Sequence, residues 1–331
     1  MMIQISIIIP VYKVEPYIRR CLQSVLSQTY ENIECIIVND ATPDKSMEIV
    51  DEVLKDYNGA IKFKVIHHEK NRGLSVARNS GVRAATGDYL FFLDSDDELY
   101  SSNDMQLFYN YVAKYGTPDF FVADYEGIGF DIHLPIPQYE TIAGQDIFYS
   151  YIRGEWSVIA CAKFFKRTFL IENSLFFEEG LLHEDELFSF QLSFISSSMV
   201  VIKEKLYKYY MREGSIMSSK KYKNFSDLLH IISLNHNLLI KKGCFINKEI
   251  TSYFISTLWG FMCTVVDYKM LSKYEKMLLV NEAKEELNYW EILERKNLNV
   301  KSSIEYCIMC LPFRLRICLI KIFNSCRGLI D

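Results

Sequence analysis

In the first hundred residues, continuous apolar runs alternate with segments whose apolar residues have helical spacing. This alternation restricts the folds that the chain can adopt. Short apolar runs rich in β-branched or aromatic residues, at 5–10, 33–38, 61–66 and 89–93, predict buried strands. Between them, apolar residues recur at helical spacing, which predicts helices over 18–26, 44–54 and 74–85. Strands that alternate with helices form a mostly parallel sheet covered on both faces. We therefore predict an α/β fold.

The pattern is less regular after residue 100. It predicts strands at 119–125 and 161–165, helices at 144–153 and 183–194, and a hairpin or paired strands at 200–211. Beyond residue 220 the spacing is helical. A length of 331 residues favours two domains. We predict an α/β domain over 1–218, with halves at 1–100 and 101–218, followed by a smaller, mainly helical region at 219–331.

Composition excludes several classes of protein. The 37 basic and 42 acidic side chains give a formal net charge of −5, so nothing in the overall charge favours nucleic acid. Nine cysteines, an odd number, and an N-terminus without a charged leader predict reduced thiols and a cytoplasmic protein. Cys307 and Cys310 have metal-ligand spacing, but no second pair follows, so we assign them to an apolar helix face. The sequence has no uncharged apolar run of about 18 residues, so we expect no transmembrane helix.

An acidic segment follows the fourth predicted strand, at the edge where parallel sheets bind ligands. Asp94-Ser95-Asp96-Asp97 comes directly after the apolar residues 90–93. Three carboxylates in four residues repel one another, and Mg²⁺ or Mn²⁺ would relieve that repulsion while sharing phosphate oxygens of a substrate. A solvated loop in which Asp96 or Asp97 caps the next helix explains the same residues. The segment alone leaves both interpretations open.

Other strand ends carry candidate ligand-binding side chains. Arg72 lies at the entrance of the third predicted helix and Arg78 one or two turns into it, where guanidinium groups and backbone amides suit a diphosphate. Surface arginines of an amphipathic helix are the alternative. Asp40, after the second strand, could hold a base or ribose hydroxyl, or act as a turn residue. Tyr12 could stack on a base or pack in the ordinary way.

Six short segments of the sequence, taken together and in their order along the chain, indicate a protein family. They are residues 6–12, 38–40, 71–81, 87–97, 184–188 and 210–217. In this order they resemble the family 2 glycosyltransferases, which have the GT-A fold, a Rossmann-like α/β architecture. The first four segments cover most of residues 3–100. Residues 161–167 keep only the outline of the family's Trp-x-Lys-Leu-Tyr-Arg pattern, with Trp156 displaced, so the acceptor is poorly constrained.

The resemblance implies a role for each matching residue. Asp185 would be the catalytic base, and Glu184 would support it or touch the acceptor. Asp96 and Asp94 would coordinate Mn²⁺ or Mg²⁺. The residues that would bind the nucleotide-sugar are Pro10, Val11, Tyr12, Asp40, Arg72, Arg78, Asp94, Ser95, Arg212 and Ser215.

Plainer explanations exist for the residues on the predicted acceptor side. Trp156 and Lys163 could line an acceptor pocket or pack in the core. His183 could touch metal or phosphate, or serve as a local hydrogen-bond partner. The acidic residues 184–186 would also be favoured as a first helical turn by the helix macrodipole.

The resemblance implies transfer of a sugar from a nucleotide-diphosphate sugar, in particular a UDP-sugar, to a glycan or lipid-linked glycan in polysaccharide biosynthesis. A single base opposite the leaving group implies inversion. A sugar nucleotidyltransferase is an alternative, but it would need a glycine-rich loop after the first strand, and residues 10–15 contain no glycine. A dinucleotide oxidoreductase would need Gly-x-Gly-x-x-Gly, which the sequence lacks. A catalytically silent nucleotide-binding scaffold is a third class, and the joint presence of Asp94, Asp96 and Asp185 argues against it.

The last thirty residues combine apolar and basic side chains. Residues 301–330 predict a helix that could lie on an anionic membrane surface, at the inner face of the cell membrane. A terminal helix packed on the domain, or a homodimer contact, would have the same composition. The sequence leaves these three alternatives open.

Overall fold

The computed structural model describes residues 3–129, 135–211, 221–244, 246–289 and 298–327. The chain forms two compact units, Met1–Arg212 and Glu213–Asp331. The predicted boundary at residue 218 lies outside the described residues and stays a prediction.

The first unit begins with strictly alternating strands and helices. Up to residue 115 its elements are β1 (Ile5–Val11), α1 (Ile18–Leu26), β2 (Ile33–Asn39), α2 (Ser46–Lys55), β3 (Lys62–His67), α3 (Leu74–Ala84), β4 (Tyr89–Phe92), β5 (Glu98–Leu99) and α4 (Asp104–Tyr115). The later elements are β6 (Phe120–Ile128), β7 (Thr141–Ala143), α5 (Gln145–Ile152), β8 (Lys163–Lys166), α6 (Arg167–Glu172), α7 (Glu184–Ile195) and β9 (Ser198–Tyr210). The predicted strands and helices of the first hundred residues are all present, with ends that differ by at most two residues.

In the described residues nine strands form one sheet, in the order β3-β2-β1-β4-β8-β6-β9-β5, with β7 also paired to β9. β1 pairs in parallel with β2 and β4, β2 with β3, and β6 with β9. β8 is antiparallel to both β4 and β6, and β5 and β7 are antiparallel to β9. Six of these nine strands therefore run in one direction, which confirms the predicted mostly parallel sheet.

Apolar side chains on both sides of the central strands explain why helices cover both faces of the sheet. Every residue of β1 is buried. On one face, Ile7 and Ile9 share a core with side chains of α1, α2 and α4. On the other face, Ile8 lies so close to Gly81 of α3 that an added Cβ would come within 2.3 Å of Ile8 Cγ2. Glycine at this position lets α3 pack directly onto the sheet.

Residues 200–211 differ from the prediction. Residues 200–210 belong to the single strand β9, so the predicted hairpin is wrong. The register of β9 with β6 shifts next to Asp124, and the shift skips the exposed residues Lys203 and Glu204. Charged residues at such an irregularity have the same sequence pattern as a turn, which explains the error.

The second unit is helical, as predicted. Its helices in the described residues are α8 (Tyr222–Lys241), α9 (Lys248–Asp267), α10 (Lys273–Tyr289), α11 (Val300–Cys310) and α12 (Phe313–Arg327). α9 packs against the other four, and its Phe254, Leu258 and Met262 are buried. Asn247 caps α9, since its side-chain oxygen accepts the backbone N–H groups of Glu249 and Ile250 at 3.0 Å each. Within the described ranges, no helix has the length and apolar content needed to span a bilayer.

Candidate active site

Several strand ends meet at one edge of the sheet. β1, β2 and β4 end there, and β8, which runs in the opposite direction, begins there. Non-glycine residues with left-handed backbone conformations are concentrated at this edge and at the start of α7. Four of the five in the described residues are Lys13, Ala41, Ala162 and His183, with φ between 51° and 63°, and the fifth, Ser174, follows α6. Such strained backbone is typical of functional sites.

The end of β1 presents one aromatic side chain to solvent. Pro10 and Val11 are buried within the strand. Tyr12, the first residue beyond it, is 38% exposed. The Nζ atom of Lys13 lies 5.3 Å from the centre of the Tyr12 ring. Of the three predicted contact residues at the end of β1, Tyr12 is therefore the one whose ring is accessible to a ligand.

Asp40 holds the loop between β3 and α3. Its two carboxylate oxygens accept the backbone N–H groups of Arg72 and Gly73, each at 2.8 Å. The Nδ1 atom of His68 lies 2.7 Å from Oδ1, and its Nε2 atom lies 2.9 Å from Ser80 Oγ. Asp40 is buried, so it positions the entrance of α3. The Arg72 guanidinium, in contrast, is half exposed at this entrance.

The acidic loop after β4 contains both accessible and buried carboxylates. The Asp94 side chain is 26% exposed and Asp96 is half-buried. Ser95 and Asp97 are buried. Burial, reinforced by the charges of Asp94 and Asp96, raises the pKa of Asp97 to about 8. Asp94 and Asp96 are therefore the carboxylates of this loop that a ligand can reach.

Tyr207 of β9 is a site residue that the sequence analysis missed. Its hydroxyl donates to Asp97 Oδ2 at 2.6 Å and accepts the backbone N–H of Asp94 at 3.2 Å. The backbone N–H of Tyr210 donates to Asp97 Oδ1 at 2.8 Å. Asp97 and Tyr207 thus fix the acidic loop onto β9. The sequence contained only an aromatic residue in a strand, with no signal for its distant partners.

Arg78 connects the acidic loop to α7. Its side chain is only 4% exposed. Nη2 donates to Asp94 Oδ1 at 2.8 Å, and Nη1 donates to Glu184 Oε1 at 2.7 Å. Both terminal nitrogens therefore bind carboxylates, and the guanidinium brings Asp94 and the first turn of α7 together. The expected contact of Arg78 with a diphosphate stays a prediction.

The first turn of α7 carries three acidic side chains in succession. Burial raises the pKa of Glu184 and of Asp185, and the charge of Arg78 opposes the rise in both. The charge of Lys163 also opposes the rise for Asp185. Burial and the charge of Asp185 raise the pKa of Glu186 to about 7. These carboxyl groups bind protons more readily than ordinary surface carboxylates.

Contacts with α3 hold α7 in place. The side chain of Asn79 donates to the Phe177 carbonyl at 2.8 Å and accepts the Phe177 N–H at 2.9 Å. The Phe177 ring stacks on that of Phe188 in α7, with centroids 4.2 Å apart. His183 turns the chain into α7 through its left-handed conformation. These interactions fix the direction of the acidic first turn.

Lys163 lies buried at the start of β8. Its Nζ atom donates to the carbonyls of Ser157, at 2.8 Å, and Ile159. Burial lowers the pKa of Lys163 to about 7, against the opposing charge of Asp185. The ammonium group therefore supports the 157–159 segment and contributes positive charge near Asp185.

Trp156 is also buried, at 2% exposure. Its Nε1–H donates to Ser150 Oγ at 3.0 Å, and its ring packs against Phe120 and Tyr151. These contacts are those of the core-packing alternative. Two other predicted site residues, Arg212 and Ser215, lie outside the described residues.

Asp94 and Asp96 have the chemistry that a hard divalent cation requires. Carboxylate oxygens are the preferred ligands of Mg²⁺ and Mn²⁺. In the part of the chain that the structure describes, no three His, Cys, Asp or Glu side chains are grouped so that they could hold a metal ion. Two carboxylates leave coordination positions for substrate phosphate and water, as is usual for Mg²⁺. The donor set fits a metal that is bound together with a phosphorylated substrate.

Known structures share this fold. TarS from S. aureus, residues 1–349, solved in complex with UDP-GlcNAc, superposes with a TM-score of 0.57 and 19% identity, over 94% of this chain and 82% of that solved chain. The mannosyltransferase PcManGT from Pyrobaculum calidifontis, solved with GDP-Man and Mn²⁺, gives 0.53 and 13% identity, over 98% of this chain and 88% of that one. The GT-A fold is therefore confirmed.

Sequence similarity shows the family. EpsH from Bacillus subtilis (strain 168), whose name assigns it to the glycosyltransferases, is 30% identical over 278 residues, which are 80% of this chain and 77% of EpsH. The family model for glycosyl transferase family 2 matches residues 6–171, which include the acidic loop and Arg78. The chain belongs to glycosyl transferase family 2.

Proposed function

We propose that this chain transfers a sugar, with inversion, from a UDP-sugar to a hydroxyl group of a glycan or lipid-linked glycan in polysaccharide biosynthesis. Membership of the family supports sugar transfer, and TarS, which has the same fold, binds UDP-GlcNAc. The observation that carries the proposal is the Arg78 bridge. It joins Asp94 at the sheet edge to Glu184, the neighbour of Asp185. This link supports the proposal that the donor-binding edge and the acidic turn of α7 belong to one site.

Asp185 is the proposed base. An acceptor hydroxyl is a weak nucleophile until a carboxylate accepts its proton as the new bond forms. Burial raises the pKa of Asp185, so its ionised form is a stronger base than an ordinary aspartate. Glu184 is bound to Arg78 and positions the turn that carries Asp185. Attack from the side opposite the nucleoside diphosphate would invert the anomeric centre.

Asp94 and Asp96 are the proposed ligands of Mn²⁺ or Mg²⁺. PcManGT was solved with Mn²⁺ and a nucleotide-sugar, which supports a divalent cation in this fold. A cation bound there would neutralise negative charge that develops on the departing diphosphate. Ser95 is proposed to assist donor binding from the same loop.

Two further contacts with the nucleotide-sugar are proposed for side chains that are accessible to solvent. Tyr12 is proposed to stack on the base, and the half-exposed Arg72 to approach the diphosphate. Arg212 and Ser215 keep their proposed role of closing over the diphosphate, and His183 is proposed to support the acceptor side. The proposal places the enzyme in the cytoplasm, at the inner face of the membrane where a lipid-linked acceptor would be presented.

Two variants test the division of roles. The assay is release of nucleoside diphosphate from a panel of nucleotide-sugars, with Mn²⁺ or Mg²⁺ and acceptor glycans. Asp185→Asn should lower kcat by about 10² to 10⁴-fold, the usual contribution of a positioned base, and leave metal-dependent UDP binding intact. Asp96→Ala should abolish both transfer and metal-dependent UDP binding. Asp51→Asn, at an exposed position on α2, is the matched control and should behave as wild type.

The same assay separates the alternatives. A sugar nucleotidyltransferase would release pyrophosphate from UTP and a sugar phosphate. A silent scaffold would bind UDP with no transfer and no donor hydrolysis. Equal loss of UDP binding in Asp96→Ala and Asp185→Asn would contradict the proposed roles.

A further inference from the structure

The last two described helices expose apolar side chains along one face each. On α11, Val300 and Ile304 are 78% and 55% exposed, and Cys307 is exposed one turn further along. On α12, Leu315 and Ile322 are 56% and 54% exposed, and Cys318 between them is exposed. Spacings of three, four and seven residues place each set on one helix face. We call these residues the apolar stripes of α11 and α12.

The opposite faces of both helices are anchored in the second unit. Arg316 is buried, and its guanidinium donates to the Val280 carbonyl at 3.0 Å. Glu305 is buried and accepts a hydrogen bond from Ser256 at 2.8 Å. The Phe323 ring packs edge-on against Trp259, with centroids 5.2 Å apart. The apolar stripes therefore face outward on helices whose other side is already packed.

The charge around the stripes is strongly positive. Residues 298–327 contain five basic residues and one acidic residue, a net charge of +4, whereas the whole chain has −5. Lys301, Arg314 and Lys321 are exposed, but the acidic residue, Glu305, is buried. Within the described lengths of α11 and α12, the exposed charges are thus all cationic. Apolar side chains bordered by cations are complementary to an anionic membrane surface.

A second copy of the chain fits this surface less well. A two-fold dimer would place the same patch on both sides of its interface and bring the basic residues of one copy toward those of the other. We propose that the apolar stripes and the basic residues Lys301, Arg314 and Lys321 form a surface that docks on membranes rich in anionic lipid. The stripes enter the boundary between headgroups and acyl chains, and the basic side chains bind the headgroups. This surface does not depend on the proposed sugar transfer.

Vesicle flotation of the full chain tests this inference. Vesicles of phosphatidylglycerol and phosphatidylcholine should carry the protein, whereas phosphatidylcholine alone should carry little. Each basic residue near an anionic surface contributes about 1 kcal/mol, or roughly fivefold in partitioning. Arg314→Gln combined with Lys321→Gln should therefore lower partitioning about 25-fold. Ile304→Glu combined with Ile322→Glu should abolish binding, since both apolar insertions are replaced by charge.

Met270→Glu is the matched control, because Met270 is 81% exposed and lies outside the stripes in the same unit. It should bind vesicles as wild type does. Circular dichroism of each variant checks that the helices remain folded, and donor hydrolysis should be unchanged in all of them. Equal flotation of wild type and the Ile304→Glu/Ile322→Glu variant would overturn the proposal. So would a wild-type dimer that ignores vesicles and that the same double substitution dissociates.

Discussion

Replacing Arg78 with methionine should destabilise the first unit and slow catalysis. The guanidinium makes two charge-assisted hydrogen bonds, at 2.8 Å to Asp94 and 2.7 Å to Glu184. Methionine fills part of the same volume but leaves both carboxylates without their cation. Asp94 would lose its orientation at the sheet edge, and the first turn of α7 would lose its attachment to α3.

The magnitude follows from how buried the partners are. Removing one member of a buried ion pair costs about 3 to 5 kcal/mol. The side chains of Asp94 and Glu184 are 26% and 12% exposed, so water compensates part of the loss and the lower end applies. A cost of about 3 kcal/mol in a unit of this size corresponds to a fall in Tm of about 6 to 12 °C. Arg78→Lys should lose much of this too, because one ammonium cannot bind both carboxylates as a planar guanidinium does.

Thermal unfolding and steady-state kinetics measure the two effects. Arg83→Met is the matched control, because Arg83 is exposed on the same helix and lies 5.1 Å from the Phe176 ring. It should cost no more than about 1 kcal/mol. In the double variant Arg78→Met/Glu184→Gln, one unpaired carboxylate is removed. The double variant should regain about 1 to 2 kcal/mol of the free energy of unfolding, a coupling typical of contacting residues. Its turnover should not recover.

Two results would refute this reasoning. An unchanged Tm for Arg78→Met would show that the bridge does not support the fold. A higher KM for the donor, with unchanged kcat and stability, would show that Arg78 acts by binding the diphosphate and not by holding Asp94 and Glu184 together.

Two further substitutions have clear expectations. Gly73→Ala should destabilise the first unit by about 1 to 3 kcal/mol in urea unfolding, because Gly73 has φ +90° and ψ 165°, a region that is nearly closed to other residues. A Cβ there would meet no atom within 4 Å, so an unchanged urea midpoint would contradict the backbone explanation. For Lys163, burial lowers the pKa in the folded chain to about 7, below its value in the unfolded chain. Between about pH 7 and 10 the unfolded chain therefore binds more protons than the folded chain. The free energy of unfolding consequently rises with pH in this range. The stability of wild type relative to Lys163→Met should therefore increase by up to about 1.4 kcal/mol per pH unit in that range, and a flat difference would exclude the lowered pKa.

The first hundred residues were predictable because the information about them is local. A fully buried strand such as β1 leaves a continuous apolar run in the sequence, and α1 and α3 leave helical spacing. The prediction for β9 was wrong because its register with β6 is irregular. The first of two register shifts skips Lys203 and Glu204, whose polarity resembles that of a turn. Such a register depends on the partner strand, which no local pattern contains.

The same distinction applies within the site. The residue types of the acidic loop identified Asp94 and Asp96 as candidates, since a carboxylate retains its chemistry wherever it lies, and the resemblance to the family 2 glycosyltransferases added Asp185. The position of Arg78 could not be found in this way, because its partners lie 16 and 106 residues away in the chain. Asp40 likewise has partners that no local pattern indicated, the backbone N–H groups of the 72–73 segment, and its contact with a nucleotide stays a prediction.

Burial also distinguishes the acidic first turn of α7 from an exposed helix start. Carboxylates at a helix N-terminus stabilise an exposed helix through the macrodipole, and that benefit needs no site. Here burial is the largest contribution to the pKa of Glu184, Asp185 and Glu186, and it raises all three. Their charged forms are therefore disfavoured in the folded chain. The raised pKa of Asp185 is the property that the proposed base requires, and the macrodipole alone does not account for it.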